Sequence, residues 1–323
     1  MTIVRRLWRR VEAYALIATL FGCLYLLVTL LDSCWGDGVS RFNSITSNDP
    51  LEIDKELVVA SLARDDVEWL DTYFADWTKN VYVVDDASAP LTVPKNKGRE
   101  AMAYLTYIID RYDTLPSISI FLHSLRYQWH NEDPMYDGAP VLRNLRLPHV
   151  LRRGYVSLRC TWVIGCPAEL WPRNPSRFRK NDDRAKTEVA YADAFRILFP
   201  GTPVPDIVGA HASSQFAVSR EQIRARPKKE YERMRAWLLL TPLPDAISGR
   251  VLEYMWHIVF GMPAVDCQDA GECFCQTFGL CNLTCSQKEC LKRYRLAPFT
   301  NIPKGWPEVG PGTHGWPERG WAD

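Results

Sequence analysis

Three groups of side chains in this 323-residue chain have types and spacings suited to chemistry. The first is the acidic pair Asp85-Asp86, which directly follows the apolar run Val81-Tyr82-Val83-Val84. Carboxylates at the end of a buried strand can ligate Mg2+ or Mn2+ through hard oxygens, or hold ribose hydroxyls. An Asp-Asp turn that caps the next segment would use the same residues. The second group starts at His123, which ends the run SISIFLH, and continues with His130, Asn131, Glu132, Asp133 and Asp137. Imidazole together with carboxylate suits a borderline metal. This makes Asp86 and His123 candidate metal ligands, and His123, His130 and Asp133 candidates to line a reaction centre. The spacing fits no named ligand motif, and a loop of hydrogen-bonded polar groups is the competing reading. The third group lies in the apolar segment 249–260, where Arg250, Glu253 and His257 fall at i, i+3 and i+7 and would form one helical stripe. A polar stripe on a buried helix must find partners. Glu253 is then a candidate base or hydroxyl ligand, Arg250 a candidate for phosphate or carboxylate, and His257 an orienting neighbour. An internal Arg-Glu pair that only fixes the helix is the alternative.

The elements needed to position these groups follow from hydrophobic periodicity. Residues 57–62 read as a buried strand, 65–77 as a helix and 81–84 as a second strand, which is a β-α-β unit. A loop then leads through Asn96-Lys97-Gly98-Arg99-Glu100 to a helix over 101–112 and a strand over 118–122. The stretch 127–187 is rich in Pro, Arg and Asn and reads as long active-site loops with short elements. Order resumes with a strand over 215–218, with Ser219 as N-cap of a helix over 220–226, and with helices over 231–239 and 249–260. Buried strands alternating with amphipathic helices predict an α/β fold with a mostly parallel sheet covered on both faces. Ligands of such sheets bind beyond the carboxyl ends of the strands.

The chain ends carry different signals. Residues 13–31 are nineteen uncharged, mostly apolar residues, long enough at about 1.5 Å per residue to span a bilayer as a transmembrane helix. Arg5, Arg6, Arg9 and Arg10 precede that run and acidic residues follow it, so the positive-inside rule leaves a cytosolic basic tail over 1–12. A stem over 32–55 then leads to a catalytic body over 56–262, a cysteine-rich cap over 263–295 and a Pro/Gly/Trp-rich tail over 296–323. This predicts a single-pass type II membrane protein of the ER or Golgi with a lumenal body. Six of the ten cysteines crowd into 267–290 without paired C-x2-C knuckles or an intervening histidine, which favours disulfides over a zinc cluster. Cys160 and Cys166 are left either to bridge or to be simply buried, and Asn282 heads a glycosylation sequon. With 39 basic and 38 acidic residues the chain is no polyelectrolyte binder. Phosphate-loop, dinucleotide, serine-hydrolase and zincin motifs are all absent from the sequence.

The blocks VVASLARDDVEWL, VYVVDD, IFLHSLRYQWHNEDP, FAVSREQIRARP and SGRVLEYMWHIVFG together resemble a fungal family of membrane-anchored proteins filed as a domain of unknown function. More distantly, the order of blocks is similar to glycosyltransferases of the GT-A type. That resemblance implies a GT-A-like sheet and a sugar moved from a nucleotide sugar to an acceptor. Asp85 and Asp86 would then hold the nucleotide or its Mn2+ or Mg2+, and Asn96, Arg99, Glu100 and Arg250 would shape the donor pocket. The usual D-x-D is replaced here by His123-Ser124-Leu125, a departure that bears on metal ligation. Arginine-containing cyclodipeptide synthases, which use aminoacyl-tRNA, look like members of the same wider group and supply the alternative activity. Their D-D-x-x-E motif is absent here. A non-catalytic lumenal protein is the third reading.

Overall fold

Side chains alternate across five short strands and divide the core in two. Lys55–Ser61 (β1), Thr78–Val83 (β2), Ile118–His123 (β3), Tyr155–Ser157 (β4) and Phe216–Ser219 (β6) form one sheet in the order β2-β1-β3-β6-β4. Val58, Phe121, Tyr155, Phe216 and Val218 face one core, while Leu57, Val59, Ile120, Val156 and Ala217 face the other. This is the period-two signature of strands buried on both sides. The computed structural model describes residues 53–281 apart from 129, 134, 135, 163, 164, 176–182 and 212. The expected basic tail, transmembrane span and most of the stem lie outside the described residues, as do Asn282, Cys285, Cys290 and the C-terminal tail. Among the described residues no helix is long and apolar enough to cross a membrane.

β1 pairs in parallel with β2 and β3, while β6 is antiparallel to both β3 and β4. Four of the five strands therefore run the same way. The sheet is mostly parallel, as the pattern predicted, with one reversed strand that sequence periodicity does not reveal. From β1 the chain goes to β2 on one side and then to β3 on the other, so the strand order reverses at β1 and β3 and opens a crevice at their carboxyl ends.

Over the first core lie Ala101–Arg111 (α2), Asp183–Leu198 (α5), Lys228–Leu240 (α7), Asp245–Glu253 (α8) and Trp256–Val259 (α9). Over the second lie Glu68–Tyr73 (α1), Gly138–Asn144 (α3), Leu147–Arg153 (α4) and Ala270–Phe278 (α10). Arg220–Arg224 (α6) is capped by Ser219, whose hydroxyl accepts from the Gln222 amide. A small parallel pair, Gly209–Ala210 (β5) and Val265–Asp266 (β7), stands apart from the main sheet.

Several boundaries correct the sequence reading. The first helix is six residues, not the span 65–77, because Asp65 and Asp66 are spent on the loop. Asp65 accepts from the Leu62 amide and the Ser124 hydroxyl, and Asp66 accepts from the Glu68 amide. By contrast, the described part of 127–187 is mostly loop with short elements, as expected: α3, α4, β4 and the start of α5. The segment 249–260 is two helices, α8 and α9, broken at Tyr254 and Met255. Since nearly every face of that segment is buried, apolar periodicity could not mark the break.

The described C-terminal cysteines form disulfides as expected, and Cys160 and Cys166 bridge to that segment rather than to each other. Cys160 pairs with Cys273 and Cys166 with Cys267, while Cys275 pairs with Cys281. Two of these three bridges among the described residues thus join the central segment to the C-terminal one. Helix α10 is drawn into the second core through Cys273, Phe274 and Phe278.

One turn sets the approach of α8 to α2. Gly98 has φ +69°, and a Cβ there would stand 2.4 Å from Leu238 Cδ1. Gly98 N–H also donates to Asp245, and Lys97 Nζ to the Leu243 carbonyl. Across the same contact, a Cβ on Gly249 would lie 3.0 Å from the Gly98 carbonyl oxygen. Gly98→Ala combines a left-handed backbone with a clash against a fully buried leucine, so it should destabilise the fold by roughly 1–3 kcal/mol in urea unfolding. An unchanged midpoint would contradict this account of the turn.

Candidate active site

The carboxyl end of β3 delivers His123, and the loop that follows brings His130 onto it. The two imidazoles lie 4.6 Å apart, centroid to centroid, at an interplanar angle of 31°. The loop that presents His130 is built from the polar residues the sequence singled out. Arg126 forms a two-pronged pair with the fully buried Asp137, at 3.0 and 2.8 Å, and also reaches the Tyr73 hydroxyl. Asn131 donates to the carbonyls of Arg126 and Tyr136, and Asp133 accepts from the Asp137 amide. Glu132 accepts from the amides of Cys160 and Thr161 at 2.7 and 3.0 Å. Of the predicted pair His130 and Asp133, therefore, the histidine reaches the centre while the aspartate helps close the loop. Burial pushes both imidazoles down, His130 further by the charges of His123, Arg159 and Arg99. Both are neutral at pH 7, and the buried Nε2 of His123 has no hydrogen-bond partner.

Helix α8 supplies the other half. Glu253 keeps part of its surface open, yet protein crowds its carboxyl, and that burial, with Glu100 nearby, raises its pKa to about 7. Arg250, Arg99 and Arg159 pull in the opposite direction. Each of these charges acts on Glu253, and Arg99 and Glu100 also act on His123, so the groups lie within electrostatic reach of one another. The close passage of Gly249 over Gly98 explains how α8 reaches the turn carrying Arg99 and Glu100. Arg99 itself holds φ +56°, a left-handed conformation that non-glycine residues seldom adopt. Arg250 contributes a buried Nη1 with no hydrogen-bond partner.

Other candidates fall elsewhere. His257 is not part of a stripe with Arg250 and Glu253, because the break between α8 and α9 turns it away. Its Nε2 meets the Ala264 carbonyl, and its neighbours are His211 and Asp266. Asp85 accepts from the Ala63 amide, tying the ends of β1 and β2, and Asp86 accepts from the amide and hydroxyl of Ser88. Both sit at the carboxyl edge of the sheet in the turn that the competing reading described. Asn96 is exposed on the loop before Gly98. Asp86 follows β2 and is bonded to Ser88, whereas His123 ends β3 with β1 between the two strands, so the two do not make a joint ligand pair. Among the described residues no three His, Cys, Asp or Glu side chains converge as metal ligands.

Arg224, Arg226, Lys228, Lys229, Arg233 and Arg235 make a basic stretch in the sequence, and its arginines are engaged inside the protein. Arg224 donates to the carbonyls of Tyr112 and Asp113, and Arg226 pairs with Glu230 and the Val259 carbonyl. Arg233 meets the Leu198 carbonyl and Arg235 lies near Asp110. Sequence reasoning missed Arg159, whose Nε donates to the Thr161 hydroxyl and lies 4.0 Å from Glu132. An available signal was its isolation as the lone charge in YVSLRCTWVIGC, since a charge within an apolar run must find partners.

A family described as "Protein of unknown function (DUF3431)" matches residues 57–276. No curated protein and no solved structure matches this chain.

Proposed function

Since the chain belongs to the DUF3431 family, whose description assigns no reaction, we propose from the site itself that it is a transferase moving a glycosyl group from a nucleotide sugar to a hydroxyl acceptor. The observation that carries this reading is Glu253, a carboxyl with pKa raised to about 7 beside Glu100 and among Arg99, Arg159 and Arg250. A base poised near neutrality suits removal of a hydroxyl proton, and guanidinium groups suit a diphosphate. The crevice where the strand order reverses is the expected ligand position in such a sheet.

In the proposed step, the acceptor oxygen bonds to the anomeric carbon as the bond from that carbon to the diphosphate breaks. Glu253 takes the hydroxyl proton, and the diphosphate leaves with the bonding electrons, its charge met by the three arginines. The neutral stack of His123 and His130 offers polar contacts for the sugar without adding charge. Asp85, Asp86 and Asn96 shape the edge that receives the nucleoside. A protein-held Mn2+ or Mg2+ does not suit the donor set, since Asp86 is spent on its turn and lies apart from His123, so no step is routed through a cation.

The disulfides support work in an oxidising compartment, consistent with a membrane-anchored, lumenal body. The aminoacyl-tRNA alternative rests on the wider resemblance and would need free basic groups to hold RNA, whereas the arginines of 224–235 are engaged internally.

The test is a panel of nucleotide sugars offered to the full chain in membranes, reading both release of nucleoside diphosphate and protection against thermal unfolding. One donor should be consumed, and Arg250→Ala should raise its KM about ten- to a hundredfold, the loss expected for a charged hydrogen bond. Failure of every donor both to bind and to react would leave a non-catalytic role instead.

A further inference from the structure

Gln215 lies just before β6 and is 1% exposed. Its carboxamide uses both ends. Oε1 accepts from the His123 amide at 3.1 Å and more weakly from Gln128 Nε2 at 3.4 Å, while Nε2 donates to Asn131 Oδ1 at 3.0 Å. Asn131 immediately follows His130 and closes its loop through two carbonyls. The backbone carbonyl of Gln215 accepts from the Leu158 amide at 3.0 Å, one residue before Arg159. The node is itself held in place, since the Gln215 amide donates to the Ser213 hydroxyl and Tyr104 donates to the Ser214 carbonyl. One residue thus touches the strand bearing His123, the loop bearing His130 and the segment bearing Arg159.

We infer that Gln215 is a positioning residue, registering the His123–His130 stack against the arginine and glutamate groups of the site. It touches no proposed substrate, and its side chain suits that role because an amide supplies an acceptor to one element and a donor to the other. Neither a carboxylate nor a thioether of similar length does both. This inference rests on the transferase reading for its kinetic arm but not for its structural arm. Burial of the carboxamide makes its bonds costly to lose, and misplacement of a site group by about 1 Å is enough to cost about a hundredfold in turnover.

The experiment compares the full chain with Gln215→Met, which removes both bonds, and Gln215→Glu, which keeps the acceptor for the His123 amide and loses the donor to Asn131. Histidine Cε1–H resonances are followed by NMR across pH, with turnover and donor KM measured alongside. In the parent chain the His130 resonance should stay neutral well below the ordinary histidine range, held there by burial and by His123, Arg159 and Arg99. In both variants it should shift and titrate at higher pH as its loop loosens, and turnover should fall about a hundredfold in Gln215→Met with donor KM nearly unchanged. A lower melting temperature with His130 titration and turnover both unaltered would make Gln215 a purely structural residue and overturn the inference. If Gln215→Met fails to fold, Gln215→Glu decides by the same histidine signal. If the parent chain transfers no sugar, that signal still decides, and only the transferase reading fails.

Discussion

Replacing Glu253 with Gln should lower glycosyl transfer about 10²- to 10⁴-fold while leaving the fold as stable or more so at pH 8. The amide fills the same space and keeps hydrogen-bonding capacity but cannot accept the acceptor's proton, and general-base catalysis contributes about that much. The stability side follows from the direction of the shift. Burial and Glu100 raise the folded-state pKa from the ordinary 4.5 to about 7, so the folded chain holds this proton more tightly than the unfolded chain does. The contribution is therefore fully present below about pH 4.5 and is lost as pH rises through about 7. Above that, ionised Glu253 is a burden of at most about 3 kcal/mol, reduced because part of the side chain reaches solvent. The Glu253→Gln chain carries no such burden, so its melting temperature should match or exceed the parent at pH 8 and lose the advantage at pH 4. The parent's transfer rate should rise through pH 7 on its acid limb, and Glu253→Gln should show no such limb. Retained transfer with the limb intact would remove Glu253 from the chemistry and leave its carboxyl as a buried partner of the arginines.

Opening the bridge between Cys160 and Cys273 with the double replacement Cys160→Ser and Cys273→Ser should cost about 3–5 kcal/mol. The two cysteines are 113 residues apart, a loop whose closure entropy is worth about that much, and both are buried, so the new hydroxyls must find partners. For a body of this size the melting temperature should drop by about 10 °C. The site should suffer as well. Cys160 and Thr161 donate their amides to Glu132 in the His130 loop, and Arg159 precedes them directly. Hydrogen exchange at the Cys160 position and at Thr161 should therefore rise in the double variant more than exchange in β1. Removing the short Cys275–Cys281 bridge, which encloses a separation of only 6, should have a smaller effect. Equal losses from the two bridges would refute the claim that the long bridge holds the site segment.

Much of the frame could be read from local pattern. Strands 57–62 and 118–122 announced themselves through apolar runs, helix α2 through its length and periodicity, and Ser219 through its capping chemistry, all of which act within a few residues. Glu253, Arg250, His123 and His130 were suspected from type and setting, and Arg99 and Glu100 through the family resemblance; in the structure Arg99 acts on Glu253, His123 and His130 alike. The same reasoning erred where short-range signal was uniform or ambiguous. Residues 249–260 are buried on almost every face, so nothing local distinguished one helix from two, and His257 was drawn into a stripe it does not join. Asp86 and Asp133 carry the right chemistry but spend it on Ser88 and Asp137.

By itself, then, the sequence determined an alternating α/β body, the identity of the polar groups worth watching and a chemistry of cysteines suited to disulfides. These depend on periodicity, side-chain type and composition. Tertiary structure alone decided that β6 runs against its neighbours, that Cys160 and Cys166 reach forward to Cys273 and Cys267, and that Gln215 and Arg159 belong with the histidines. The two bridges and the bond from His123 to Gln215 join residues far apart in the chain, and the strand direction is set by how the whole sheet packs. Such contacts are selected by shape and burial in the assembled core, and no local preference encodes them.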